Sequence, residues 1–165
     1  KSIEYYQKSI AIKQELGDVR NIGKTYNNLG KIYFSMGDFK NAVLQYDKSI
    51  KTKKELGDNK GLHSSIFNKG QAYFYLDDFD KSISEFRRSM ELENSEFYMN
   101  EKYRFIGMSH YYMGNYDSSS IYINRSYQFF KEDSIKLLSI IPFQILSDLK
   151  NENKTIIKMN IELRQ

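Results

Sequence analysis

Six residues of the segment Tyr26–Phe39 return 40 positions further along the chain. Asn28, Gly30, Tyr33, Phe34, Asp38 and Phe39 become Asn68, Gly70, Tyr73, Phe74, Asp78 and Phe79. A second stretch obeys the same offset: Tyr6, Ser9, Ile10 and the tetrapeptide Glu15–Asp18 fall on Tyr46, Ser49, Ile50 and Glu55–Asp58. A third copy runs through Asp80–Glu93. A fourth runs through Phe105–Tyr127, with Gly107 standing 37 residues after Gly70. Self-similarity at such a period implies a stacked array, because one short unit cannot bury its own apolar face.

Inside each unit the apolar spacing is helical. Tyr26, Leu29, Gly30, Tyr33 and Met36 follow an i, i+3, i+4, i+7 pattern, as do Phe39, Ala42, Val43, Tyr46 and Ile50. Between these stripes lies Met36–Phe39, where Gly37 suits a left-handed helix end and Asp38 offers an oxygen to the next N-terminus. Tyr112–Tyr116 repeats that chemistry, and Tyr75–Phe79 places Asp77 where glycine is favoured. Each unit therefore reads as two antiparallel helices joined by a tight turn. Gly30, Gly70 and Gly107 sit inside helices, where glycine costs about 1 kcal/mol relative to alanine. The expectation is close backbone approach, with Ala42, Ser82 and Ser119 as the small partners on the second helix.

The pattern Tyr26, Leu29-Gly30, Tyr33, Gly37, Phe39, Ala42, Tyr46 resembles the tetratricopeptide repeat, in the longer, 40-residue form found in cell-polarity scaffolds and bacterial sensor or regulator proteins. Lys69 stands where that family has leucine, His110 where it has an aromatic, and Ser49, Ser89 and Ser126 where alanine is common. The resemblance implies an all-α, right-handed α-solenoid of stacked antiparallel hairpins, with about four to five repeats, the first and last incomplete or degenerate. The expected layout is a single domain over 1–165: a second helix over 1–16, repeats over 17–56, 57–94 and 95–131, and a degenerate repeat or cap over 132–165.

Composition removes several function classes. The 165 residues carry no cysteine, which excludes disulfides, zinc-thiolate sites and thiol catalysis. The two histidines, His63 and His110, lie 47 positions apart, and no phosphate loop or nucleophile elbow occurs, so neither a metal, a cofactor nor a catalytic site is expected. A net charge of +4 is spread beside nearly as many acids, which reads as a solvated surface rather than a nucleic-acid face. The most apolar run, Ile135–Leu146, is interrupted by Pro142 and is shorter than the ~20 residues of a membrane-spanning helix. The chain starts with Lys1, which suggests a piece of a longer protein; its compartment, cytoplasmic or periplasmic, is not encoded in these residues.

By resemblance, the first helix of each hairpin lines a concave groove, and its residues outside the packing stripe are the binding candidates. These are Lys24, Asn27, Asn28, Lys31 and Phe34 in one repeat; Ser64, Phe67, Asn68, Gln71 and Phe74 in the next; and Glu101, Arg104, Phe105, Met108 and Tyr111 in the third. An asparagine amide can grip peptide main chain whatever the side chains, so Asn28 and Asn68 form the leading pair, with satisfaction of neighbouring helix groups as the alternative. Lys24, Lys31 and Arg104 favour an acidic peptide or its C-terminal carboxylate, against simple solvated lysines. Phe67, Phe74, Met108 and Tyr111 offer an apolar wall or, equally, packing between hairpins. The expected activity is non-catalytic protein or peptide binding within a larger regulatory protein. The alternative is end-to-end self-association through Tyr5, Tyr6 and Ile10, or a spacer that positions an attached kinase or DNA-binding effector domain.

Overall fold

The computed structural model describes residues 2–93, 96–130 and 150–152. Among these lie seven helices: α1 (Ser2–Glu15), α2 (Val19–Ser35), α3 (Phe39–Glu55), α4 (Asn59–Phe74), α5 (Phe79–Leu92), α6 (Glu96–Tyr112) and α7 (Tyr116–Phe130). The all-α repeat fold expected from the sequence is the fold observed. The degenerate unit over 132–165, with Pro142, falls outside the described residues except at 150–152.

Helix boundaries follow from one local device used four times. Asp18, Asp38, Asp58 and Asp78 precede α2, α3, α4 and α5, and their carboxylates accept from the backbone N–H of Asn21, Asn41, Gly61 and Lys81. The residue before each cap turns into the left-handed region. Gly37 has φ 76° there, and Asp77 holds φ 58° as the non-glycine member of the series. Chain reversal is thus fixed locally, and the 40-residue unit consists of two capped half-units.

The chain divides into two compact units, Lys1–Asn94 and Ser95–Gln165. In the first, α2 packs on α3 and α4 on α5 as hairpins, while α1 on α2 and α3 on α4 join successive hairpins. Its interior holds Leu29, Ala42, Tyr46, Ile66, Ala72 and Phe86. In the second unit α6 packs on α7 around Ile106 and Ile123. Each buried leucine, isoleucine and phenylalanine among them contributes about 1.5–3 kcal/mol.

The helical glycines correct one expectation. A Cβ on Gly30 would meet the Tyr46 ring, at 2.5 Å from Cε1; one on Gly70 would meet Phe86 at 3.1 Å, and one on Gly107 would meet Ile123 at 2.7 Å. At Gly30 and Gly70 glycine therefore makes room for a large side chain, not for the small residue opposite. At Gly107 the backbone N of Ile123 also lies 3.0 Å from the added Cβ, the close approach expected there. Ser82 does face Gly70, but through a hydrogen bond to its carbonyl oxygen at 3.0 Å.

Departures from the family pattern are also explained. Ser49, Ser89 and Ser126 donate to the carbonyls of Gly23, His63 and Asn100, the same partner position in three successive hairpins. Lys69, in the leucine position, places its ammonium 2.8 Å from both Asp47 and Glu85. Burial pulls its pKa down, but the bonds and charges of those two carboxylates outweigh burial, and the net direction is upward.

Candidate functional site

Helix periodicity places Lys24, Asn28 and Lys31 in one row, since steps of four and three residues return to the same side of α2. All three are exposed. Among the described residues no carboxylate pairs with Lys24 or Lys31. The matching row on α4 holds Ser64, Asn68 and Gln71, each half-buried.

Between the rows lies a polar network that ties the helices together. The Asn27 Oδ1 accepts from Asn68 Nδ2 and from Ser65 Oγ, both at 3.1 Å. Ser65 in turn contacts Ser49 Oγ at 2.9 Å and accepts from Lys53 Nζ at 2.8 Å. The Lys53 ammonium also donates to the carbonyl of Gly61 at 2.9 Å. One repeat earlier, Lys13 donates to Thr25 Oγ1 at 2.7 Å, the equivalent pair 40 positions upstream.

Lys53 is only 4% exposed. Desolvation moves its pKa down from the ordinary lysine value; the Asp58 charge opposes this, and the ammonium groups of Lys31 and Lys24 add to it. The charges of Lys31 and Lys24 thus reach Lys53, each acting on it less than Asp58 does. Such a cluster favours an anion placed on the α2 row.

Several sequence candidates sit elsewhere than expected. Asn27 is buried at 7% exposure, with its oxygen occupied by Ser65 and Asn68; it belongs to the joint between α2 and α4, not to the open row. Phe67 packs edge-on against Phe86, with ring centroids 5.4 Å apart. Phe74 is buried and meets Phe79 of its own hairpin, with ring centroids 5.7 Å apart; Phe34 packs edge-on against Phe39 within its hairpin and against Tyr75 of the next. The Asn27–Asn68 pairing escaped the sequence reading because it links positions 41 apart, one residue off the repeat period.

In the second unit, Arg104 is held by Glu101 at 2.7 Å and lies 4.5 Å over the Phe105 ring, so its charge is already countered. Met108 is half-buried, with its sulfur 4.0 Å from Arg104 Nη1. Tyr111 packs edge-on with Tyr112 and lies near Tyr116, while Lys150 Nζ stands 5.1 Å from its ring. Phe105 is buried. His110 stacks on Tyr122 at 5.6 Å, in keeping with a packing role, and His63 is buried in α4.

Comparison with known proteins agrees with this architecture. Models of the tetratricopeptide repeat match residues 1–55 and 63–96, together more than half of the chain. No curated protein matches. Among solved structures, BtubC from P. vanneervenii is similar with a TM-score of 0.69 at 18% identity, over 79% of this chain and 56% of that one. A signal transduction ATPase with numerous domains and a tetratricopeptide repeat sensor, from Pyrococcus horikoshii, is similar with a TM-score of 0.75 at 16% identity. That similarity covers 89% of this chain and 24% of the ATPase. The chain thus spans about half of one structure and a quarter of the other. Repeated helix hairpins, their spacing and the matching family models place this chain in the tetratricopeptide repeat family, whose repeats are protein-interaction and scaffold modules.

Proposed function

We propose that the chain binds an extended acidic peptide, or a peptide's C-terminal carboxylate, along the first helices α2 and α4. The observation that carries this reading is the exposed row Lys24, Asn28 and Lys31, whose two lysines lie close enough to Lys53 to press on its charge. A ligand carboxylate relieves that mutual repulsion, and Asn28 with the remaining polar atoms of Asn68 grips main chain. Gln71 extends the matching row on α4. The tetratricopeptide repeat sensor of the Pyrococcus horikoshii ATPase supports a place within a larger regulatory protein.

The test is calorimetric binding of an acidic peptide with a free C-terminus to wild type and to the exposed triple variant Lys24→Ala/Asn28→Ala/Lys31→Ala. A loss of about 1–3 kcal/mol is expected. Equal binding by a folded variant removes the α2 row as the site.

A second reading is self-association through α1. Of the three residues expected to carry it, Tyr5 is exposed (70%), Tyr6 is half-buried and Ile10 is buried in the core. The apolar exposure that favours it is at Tyr5, at Ile12 (55%) and at Leu16 just beyond the helix (75%). Light scattering across a concentration series decides it, since a strict monomer contradicts it.

A further inference from the structure

The face of α2 opposite the lysine row carries an open slot. Tyr26 lies two residues from Lys24, about 200° around the helix. It forms the shared floor of two adjoining depressions of about 330 and 180 Å³. Ile10 and Gln7 of α1 wall one side, and Gln45, Lys48 and Lys51 of α3 wall the other. The helices α1 and α3 do not pack on each other among the described residues, so the half-buried Tyr26 of α2 lies between them as the slot's base, with Ile22 and Leu29 buried beside it.

The next interval, between α3 and α5, has its own depression of about 460 Å³ beside Tyr73, but differs at the places equivalent to this slot. Forty positions on, Gln7, Leu29, Gln45 and Lys48 become Asp47, Lys69, Glu85 and Arg88. There Lys69 bridges Asp47 and Glu85 at 2.8 Å each, and Arg88 reaches Glu85 at 3.4 Å. A charged bridge spans the gap between α3 and α5. In the first repeat the same places hold neutral amides and a leucine, and no bridge forms among the described residues. Lys48 lies 5.6 Å over the Tyr26 ring, and neither Lys48 nor Lys51 has a carboxylate partner among the described residues. The slot therefore combines the Tyr26 ring as its floor, the amides of Gln7 and Gln45, and two lysines without a carboxylate partner among the described residues.

The geometry points to this α1–α2–α3 slot as a second docking surface, which takes an amphipathic partner segment with apolar anchors and acidic flanks. Charge complementarity selects that occupant. Glu55 at one end leaves the lining net positive, so a basic segment is repelled and an acidic one is drawn to Lys48 and Lys51. The amides of Gln7 and Gln45 meet polar groups of either kind, and the floor accepts leucine-type side chains. This surface is independent of the lysine row on the other side of α2.

The experiment is an amide NMR titration with a short peptide of leucine and glutamate, leucines at helical spacing, beside its leucine–lysine counterpart. The expected result is movement of the Gln7, Gln14 and Gln45 side-chain signals with the acidic peptide only. Lys48→Glu/Lys51→Glu, both exposed, should weaken binding at least about tenfold. Gln45→Trp, which fills the slot, should do the same, and Lys24→Ala/Lys31→Ala should leave it intact. Absence of binding, equal binding of the basic peptide, or signal changes confined to Asn28 and Asn68 overturns the assignment. Concentration-dependent movement of the same glutamine signals without peptide overturns it in favour of a second copy as occupant.

Discussion

Ser49 of α3 donates its hydroxyl to the carbonyl oxygen of Gly23 on α2 at 2.7 Å. Both groups are buried, and the equivalent bond recurs from Ser89 to His63 and from Ser126 to Asn100. The hydroxyl allows the hairpin a close, polar clasp at a place where a methyl group would serve only as filler. Ser49→Ala is expected to cost about 1–2 kcal/mol, more than a single bond's mean because Ser65 also loses a neighbour at 2.9 Å. Urea denaturation of wild type and variant measures this; an unchanged midpoint would show that the clasp contributes nothing.

Gly30 and Gly70 invite a graded comparison. Alanine improves helix propensity by about 1 kcal/mol at either place. At Gly30 the added Cβ would lie 2.5 Å from a ring carbon of Tyr46, which is 1% exposed and has no room to withdraw. At Gly70 the nearest carbon of Phe86 is 3.1 Å away. Gly30→Ala should therefore destabilise by about 1–3 kcal/mol, and Gly70→Ala by clearly less. Thermal melts of the two variants check the order; a more stable Gly30→Ala would contradict the packing account.

Asp38 links a helix cap to acid stability. Its side-chain bond from Asn41, followed by the backbone bond from the same residue, lowers its pKa below the usual 3.8. A depressed carboxyl contributes stability that is present above the unfolded pKa and is lost as pH falls through the folded value. Asp38→Asn keeps a capping oxygen but removes the titration, so its stability should fall less steeply than wild type's below about pH 4. Denaturation midpoints measured across that range test the sign.

Lys69 gives the opposite window. Its folded pKa is raised above 10.5 once the carboxylates have outweighed burial. The stabilisation is complete below the unfolded value and disappears as pH rises through the folded one. Lys69→Met leaves Asp47 and Glu85 facing each other with one cation fewer, and should cost roughly 1–3 kcal/mol at neutral pH. The gap between variant and wild type should close in strong alkali. A constant gap across the alkaline range would mean that packing, not charge, carries the effect.

Much of the fold is legible in the chain because its determinants are local. The aspartates before α2 to α5 and the left-handed residues preceding them act within one turn of backbone, so boundaries can be read without tertiary information. The candidate site was legible only by rows. Lys24, Asn28 and Lys31 share a face through helix geometry alone, whereas the burial of Asn27 depends on a neighbour from another hairpin.

Helix type, length and repeat period were therefore set by sequence: capping, turn chemistry and apolar spacing all act over a few residues. Tertiary structure alone decided that the glycines accommodate Tyr46, Phe86 and Ile123, and that Asn27 joins Asn68. It alone showed that Lys69 bridges Asp47 and Glu85 between α3 and α5, while no ion pair spans the preceding interval among the described residues. Those outcomes depend on how one hairpin's side chains meet the next, and distances across an interface are fixed only when both partners are packed.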